Sequence, residues 1–320
     1  MAHSLTRILA ISGADILRLV DPAAVIDALA HGFKALSLGD VQAPPRPKVD
    51  VPGKGFSLAM LAWTPGQMIA LKTVNVFHAN HTMGLESHQA LVSLFDPDTG
   101  APVAILDGAS LTGIRTAAAS VLSVRELARR DAQTALVVGS GVQAREHARQ
   151  LGLAREFAEI RIFARNTDQA RQIAATVPKG VAVSDLQGAV RTSDVICLTT
   201  SSPTPVIEDA WVLPGTHITS VGFTPPGTEL PAALIDRAAL FVEAMAAFSA
   251  APVGCAELAG RDPARGAELG QVLLGEKPGR VSDQQVTLYK SMGNAMEDMV
   301  AANLAYRAAV AAGVGQTIAL

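Results

Sequence analysis

Three basic residues and one glycine-rich turn carry the chemistry legible in this chain. The turn is Gly139-Ser-Gly141-Val-Gln-Ala144, a GxGxxA pattern preceded by the apolar run 135–138 and followed by a helical segment, 145–153. The first glycine allows the tight turn, the second lets backbone N–H groups approach a pyrophosphate, and Ala144 lets the helix pack closely on the strand. A dinucleotide site is expected here, because further strand–helix units follow the turn. The basic residues are Arg46 in the extended stretch Ala43-Pro-Pro-Arg-Pro-Lys48, Lys72 in the apolar run Met68-Ile-Ala-Leu-Lys-Thr-Val74, and Arg115 in Leu111-Thr-Gly-Ile-Arg-Thr-Ala117. A lysine inside an apolar strand needs a charged partner. Singly, each cation reads equally well as solvated or structural. Together they suit an anion clamp, most simply for a carboxylate.

The second strand of a dinucleotide unit commonly ends in an acid that bonds the ribose 2′-hydroxyl. Here the strand runs into Ala164-Arg165-Asn166-Thr167, and Arg165 stands where the acid would. A guanidinium suits a 2′-phosphate, with Asn166 and Thr167 adding neutral hydrogen bonds, so NADP(H) is expected ahead of NAD(H), which stays open. Asp168 comes a turn too late and is expected to cap the next helix. His78, His81 and His88, with Glu86, match no zinc spacing, so no metal is expected. The two cysteines are too few for a disulfide framework. Cys197, in Val195-Ile-Cys-Leu198, reads as a buried strand residue, and Cys255 has no obvious base beside it. Glu229 and Asp298 are expected in surface or capping roles.

Positioning these residues takes two domains, which 320 residues accommodate. Asp21-Pro22 opens the first clear helix and Gly39 stops it. Strands are expected at 56–62, 68–75, 90–95 and 102–106, the last two joined as a hairpin by Asp96-Pro-Asp-Thr-Gly100, which implies a largely antiparallel sheet. A long helix over 110–130 links this domain to the next. From there strands at 134–138, 159–163, 181–183, 194–198, 216–220 and 239–242 alternate with helical patterns, the mark of a doubly wound parallel sheet. A strand at 285–289 and an alanine-rich helix over 292–312 close the chain, the helix packing back onto the first domain. The expected fold class is α/β: a Rossmann-type doubly wound parallel sheet plus a smaller α+β domain for substrate binding and dimerisation. Its boundaries are 1–115 with 300–320 for the smaller domain and 116–299 for the nucleotide domain. A composition 49% hydrophobic and 17% charged suits a soluble protein of this class. The net charge of −3 makes no case for nucleic acid or an anionic membrane. No apolar run approaches the roughly 18–20 residues of a membrane span, and the N-terminus lacks the order of a signal peptide, so a cytoplasmic protein is expected.

Several blocks together resemble the ornithine cyclodeaminase/mu-crystallin family along nearly the full chain. They are Leu71-Lys-Thr-Val-Asn75, Ser87-His-Gln-Ala90, Leu106-Asp-Gly-Ala109, Leu111-Thr-Gly-Ile-Arg-Thr116, the glycine loop and Lys290-Ser-Met-Gly-Asn-Ala295. The resemblance implies that Arg46, Lys72 and Arg115 hold a substrate carboxylate, with Lys72 as proton donor, and that the protein is a homodimer built through the first domain. It implies that Ser87, His88, Thr199, Thr200, Ser201 and Ser291 line the cofactor site beside the glycine loop; with Arg115, Gly139, Ser140, Gly141, Val142, Gln143, Arg165, Asn166, Thr167 and Val221 they make up the expected cofactor site. Cyclodeaminase-type members carry an aspartate just after the glycine of the Val221-Gly222 region, and a glutamate on the strand before the lysine. This chain has Phe223 at the first place and Phe56-Ser-Leu-Ala-Met60, without a carboxylate, at the second. Cyclisation of a diamino acid is therefore disfavoured, and Phe223 suits an apolar ring.

The expected reaction is NADPH-dependent reduction of a cyclic ketimine acid, Δ1-pyrroline-2-carboxylate to L-proline or the six-membered piperideine analogue to L-pipecolate. The alternatives are an alanine-type amino-acid dehydrogenase, a non-catalytic NADPH-dependent binding protein and a hydroxyproline dehydratase, with ornithine cyclodeaminase last. Expected partners are a small cyclic imino acid and a second copy of the chain.

Overall fold

The computed structural model describes residues 7–224 and 226–320, without the side chains of His78 and His81. The extreme N-terminus, on which the signal-peptide reading partly rests, lies outside the described residues. The chain opens with β1 (Arg7–Ile11), α1 (Gly13–Leu19) and α2 (Pro22–Leu38). Asp21 caps α2 by accepting from the Ala23 amide, with Pro22 in the first turn. Then β2 (Lys48–Val51), β3 (Gly55–Ala62), β4 (Ile69–Val76), β5 (His88–Phe95) and β6 (Pro102–Asp107) pair antiparallel, each with the next. Strand periodicity sends alternate side chains to opposite faces. Leu58, Met60 and Ala62 of β3 and Ala70, Lys72 and Val76 of β4 take the buried face.

The linking helix is α3 (Gly108–Leu127), which begins and ends before the expected 110–130. Asp107 accepts from the Ser110 amide at 2.7 Å, which starts the helix. At the far end Arg280 takes the Leu127 carbonyl, a group that a further turn would have used, and Arg155 joins the Ala128 amide on the Val124 carbonyl. The following elements are β7 (Thr134–Val138), α4 (Val142–Gln150), β8 (Glu159–Phe163), α5 (Thr167–Ala174), β9 (Gly180–Val183), α6 (Leu186–Arg191), β10 (Val195–Leu198), β11 (His217–Ser220), α7 (Ala232–Arg237), β12 (Ala239–Val242), β13 (Gly266–Glu268), α8 (Leu269–Leu273) and β14 (Thr287–Lys290). The sheet runs β13-β12-β14-β11-β10-β7-β8-β9, and every pairing in it is parallel. Its central strands are buried end to end, as near-continuous apolar runs such as Val195–Leu198 require. Strand order reverses between β7 and β10, the switch point beside which doubly wound sheets bind ligands.

The chain ends with α9 (Ala295–Ala312) and β15 (Gln316–Ala319). The helix starts later than the expected residue 292, because the Met292 and Gly293 amides are taken by Glu243. Asn294 and Glu297 then form a reciprocal cap. β15 lies antiparallel on β1, and β1 parallel to β6. Neither terminal strand was expected from the sequence. They complete a sheet of order β15-β1-β6-β5-β4-β3-β2. The chain divides into two compact units: the described residues through Arg115 with Asn294–Leu320, and Thr116–Gly293. The return boundary falls at Asn294 instead of the expected 300, because the cap makes α9 one body from its first turn. No helix among the described residues is long and apolar enough to cross a membrane.

Candidate active site

In the first unit Lys72 and Arg115 are drawn together by two carboxylates of α9. Lys72, on β4, is 2% exposed, and its Nζ donates to Asp298 Oδ1 at 3.0 Å and to Thr112 Oγ1 at 2.6 Å. Arg115 Nε donates to the same Asp298 Oδ1 at 3.0 Å, and Nη1 to Glu297 Oε2 at 2.9 Å. Glu297 Oε1 accepts from the Asn294 amide, so one carboxylate both caps the helix and holds the guanidinium. Four buried charges thus balance, which burial of any of them demands. Burial lowers the Lys72 ammonium to about 8; Asp298 opposes that shift and Arg115 adds to it. Burial works to raise the Asp298 carboxyl, but Arg115 and Lys72 outweigh it and hold the group below the usual range. Asp298 Oδ2 is buried and makes no hydrogen bond among the described residues. Arg46 is half-buried just before β2. The Ala59 amide donates to the Pro47 carbonyl, which carries the pairing past Lys48 to the level of Met60, the register partner of Lys72. Ser87 is half-buried and His88 exposed at the start of β5.

In the second unit the glycine loop leaves β7 at the switch point. Gly139 has φ +141°, and a Cβ there would meet Thr199 Oγ1 at 2.5 Å, so only glycine fits without displacement. Gly141 is the N-cap of α4 with no side-chain cap bond, and a Cβ there would meet nothing within 4 Å. The helix N-terminus is therefore open to an external acceptor, as a pyrophosphate requires, and Ala144 is fully buried behind it. These residues fit a dinucleotide. Arg165 is exposed beyond the end of β8, with no ion pair among the described residues. Asn166, and not the expected Asp168, caps α5: its Oδ1 accepts from the Asp168 and Gln169 amides, while Asp168 pairs with Arg171. An N-cap needs its acceptor one residue before the helix, a place only Asn166 holds.

Three glutamates that sequence reading passed over, or misplaced, brace the strand ends around this loop. Glu229 was expected at the surface or in a cap, as was Asp298; both are 1% exposed. Glu229 Oε2 accepts from Thr200 N and Oγ1, and Oε1 from Ser220 Oγ and Gly222 N, which ties the turns after β10 and β11 together. Lys290 donates to Gly222 O at 2.5 Å and to Ser220 Oγ, and pairs with Glu257 at 3.1 Å. Glu243 Oε1 accepts from Ser291 Oγ and from the amides of Met292 and Gly293. Thr199 Oγ1 donates to the Val138 carbonyl, Ser201 is exposed, and Val221 and Phe223 are half-buried. Ser140, Val142 and Gln143 follow in the loop and the first turn of α4. Burial pushes both cysteine thiols up to about 12, which leaves neither a nucleophile. Among the described residues no His, Cys, Asp or Glu cluster is placed to hold a metal; the side chains of His78 and His81 are outside that set.

A Rossmann-type nucleotide unit and a buried Lys–Arg–carboxylate cluster define a nicotinamide-dependent oxidoreductase. The profile of the ornithine cyclodeaminase/mu-crystallin family matches residues 8–313, and the chain belongs to that family. It is 36% identical over 285 residues to the ketimine reductase mu-crystallin of Mus musculus, covering 88% of this chain and 90% of the mouse protein. The structure of Thermococcus litoralis Δ1-pyrroline-2-carboxylate reductase in complex with NADH and L-proline superimposes with a TM-score of 0.90, at 31% identity, over 97% of this chain and 100% of that one. An archaeal alanine dehydrogenase dimer with bound NAD gives 0.86 at 28% identity, over 98% and 99% of the two chains.

Proposed function

We propose that this protein reduces a cyclic ketimine carboxylate, Δ1-pyrroline-2-carboxylate to L-proline, with the six-membered piperideine acid as a second substrate. The observation that carries the reading is the Lys72–Asp298–Arg115–Glu297 quartet, in which burial lowers the Lys72 ammonium to about 8. Lys72 Nζ gives its proton to the imine nitrogen. Arg46, Lys72 and Arg115 together would hold the substrate carboxylate. Arg115, pinned by both acids, keeps Asp298 oriented. The glycine loop would hold the dinucleotide, whose reduced nicotinamide would supply a hydride for the imine carbon. Phe223 suits an apolar ring, and no carboxylate stands there to hold a second amine. Arg165 favours NADPH over NADH through the 2′-phosphate.

Oxidation of NADPH and of NADH with the five- and six-membered ketimines, run beside pyruvate plus ammonia, tests the reading. NADPH-preferring turnover of a ketimine is expected. Turnover of pyruvate with ammonia alone would replace it with an amino-acid dehydrogenase, the second reading that the likeness to the alanine dehydrogenase favours. A homodimer through the first unit also belongs to this proposal. On the outer face of its sheet Leu61 is 42% and Leu91 48% exposed, and their register partners are Leu71 and Thr73. Exposed leucines on two strands of one face suit a surface that a second copy covers.

A further inference from the structure

We infer that Asp298 is the acceptor for the substrate's nitrogen, through the oxygen that its two cations leave unused, and that it thereby selects C=N over C=O substrates. This assignment rests on the proposed reductase reading. Both cation contacts fall on one oxygen: Lys72 Nζ and Arg115 Nε each approach Asp298 Oδ1 at 3.0 Å. The other oxygen, Oδ2, is buried and has no hydrogen-bond partner among the described residues, although the residue is only 1% exposed. A buried carboxylate oxygen without a donor loses hydration and gains nothing in exchange. Glu297, its neighbour on the same turn, shows the contrast, since one of its oxygens takes Arg115 and the other the Asn294 amide. The donor that Oδ2 lacks has a definite chemistry. Once Lys72 has protonated the ketimine nitrogen, the iminium presents an N–H, and the reduced ring still presents one as a secondary amine, or two once that amine takes a proton from solvent. A ketone or an ether oxygen at the same place presents only lone pairs, which a carboxylate repels. The positions at which cyclodeaminase-type relatives would carry acids hold Phe223 and the carboxylate-free run Phe56–Met60, so neither takes this role.

The proton balance closes on the residues named. Nζ–H of Lys72 breaks and N–H of the iminium forms; hydride addition at carbon then gives the amine, and Lys72 recovers its proton from solvent. Asp298 transfers nothing and stays ionised throughout.

The test compares two saturated five-ring carboxylates that differ only in the ring atom, L-proline and tetrahydrofuran-2-carboxylate, binding to the NADP+-loaded protein. Wild-type protein is expected to bind proline more tightly by roughly 10- to 100-fold, the range of a hydrogen bond to a charged group. Asp298→Asn, isosteric but with an amide in place of the anion, is expected to abolish that preference. Glu297→Gln, which removes the other acid beside Arg115, is expected to keep the preference. Equal binding of the two ligands by wild-type protein overturns the assignment, a result that does not depend on any variant folding. Retention of the preference in Asp298→Asn overturns it as well. Failure of the parent reading looks different, because wild-type protein would then neither reduce the ketimine nor bind either ring acid.

Discussion

In the proposed reaction Lys72 is the proton donor, and its surroundings set a pH dependence of definite sign. It faces Asp298 and Glu297 from α9 and Arg115 and Thr112 from α3. Its ammonium titrates at about 8. Reduction needs the protonated form, so kcat/KM for the ketimine should be level at lower pH and fall about tenfold per pH unit above the Lys72 value. Amine oxidation needs the neutral form and should rise through the same pH. A pH–rate profile in both directions checks this, and identical profiles would remove Lys72 as the proton donor. Asp298→Asn takes away the main influence that raises the Lys72 value, so the midpoint of both profiles should move lower. At the cofactor end, Arg165 stands exposed with no acid beside it in Ala164-Arg165-Asn166. Arg165→Ala should raise KM for NADPH by roughly tenfold and change KM for NADH little, as expected for one charge-assisted contact to a phosphate. Equal effects on both cofactors would assign Arg165 a merely structural place at the strand end.

At the scale of elements, the turn between β7 and α4 separates two jobs that one motif combines. Gly139 answers to the fold, because Thr199 fills the space where a Cβ would go; Gly141 answers to the ligand, because that space is open. Gly139→Ala should therefore lower stability by roughly 1–3 kcal/mol, seen as a fall in Tm without cofactor. Gly141→Ala should leave Tm nearly unchanged and weaken cofactor binding, seen by titrating NADPH fluorescence. A reversed pattern would mean that the open side of the loop is not where the dinucleotide lies. The same contrast explains what could be read from the sequence. The strands 134–138 and 159–163 were legible to the residue, the first because a strand buried on both faces writes itself as a continuous apolar run, the second because Ile160 and Ile162 alternate with polar neighbours. The glycine loop was legible because its constraints are local. Glu229, Glu243 and Asp298 were not, because a lone acid in sequence gives no sign of a partner on a distant element: Glu243 meets the Gly293 amide across 50 residues. β1 and β15 were missed for the same reason. Each is only a few residues long, and what makes them strands is pairing between the two ends of the chain.

At the scale of the whole molecule, the outer face of the first unit's sheet sets an assembly prediction. Leu61→Asp combined with Leu91→Asp should turn a dimer into a monomer by light scattering, with the secondary structure retained in circular dichroism. A monomeric wild-type protein would remove the premise. The order of the chain has a further consequence for how such a molecule comes into being on the ribosome. The nucleotide unit is one uninterrupted stretch, Thr116–Gly293, and has all its strands once that stretch has emerged. The substrate unit is split, and its two halves bear opposite charge at the critical spot. Lys72 and Arg115 are made early, whereas Asp298 and Glu297 arrive with the last helix, Asp298 following Lys72 by 226 residues and Arg115 by 183. Until then two cations destined for burial have no counterions and must stay hydrated. The sheet around Lys72 cannot close on a nascent chain that lacks α9, so a prematurely terminated polypeptide would be left with a soft, protease-sensitive first half beside a finished second one. The buried charge cluster is thus completed only by the last helix to be made.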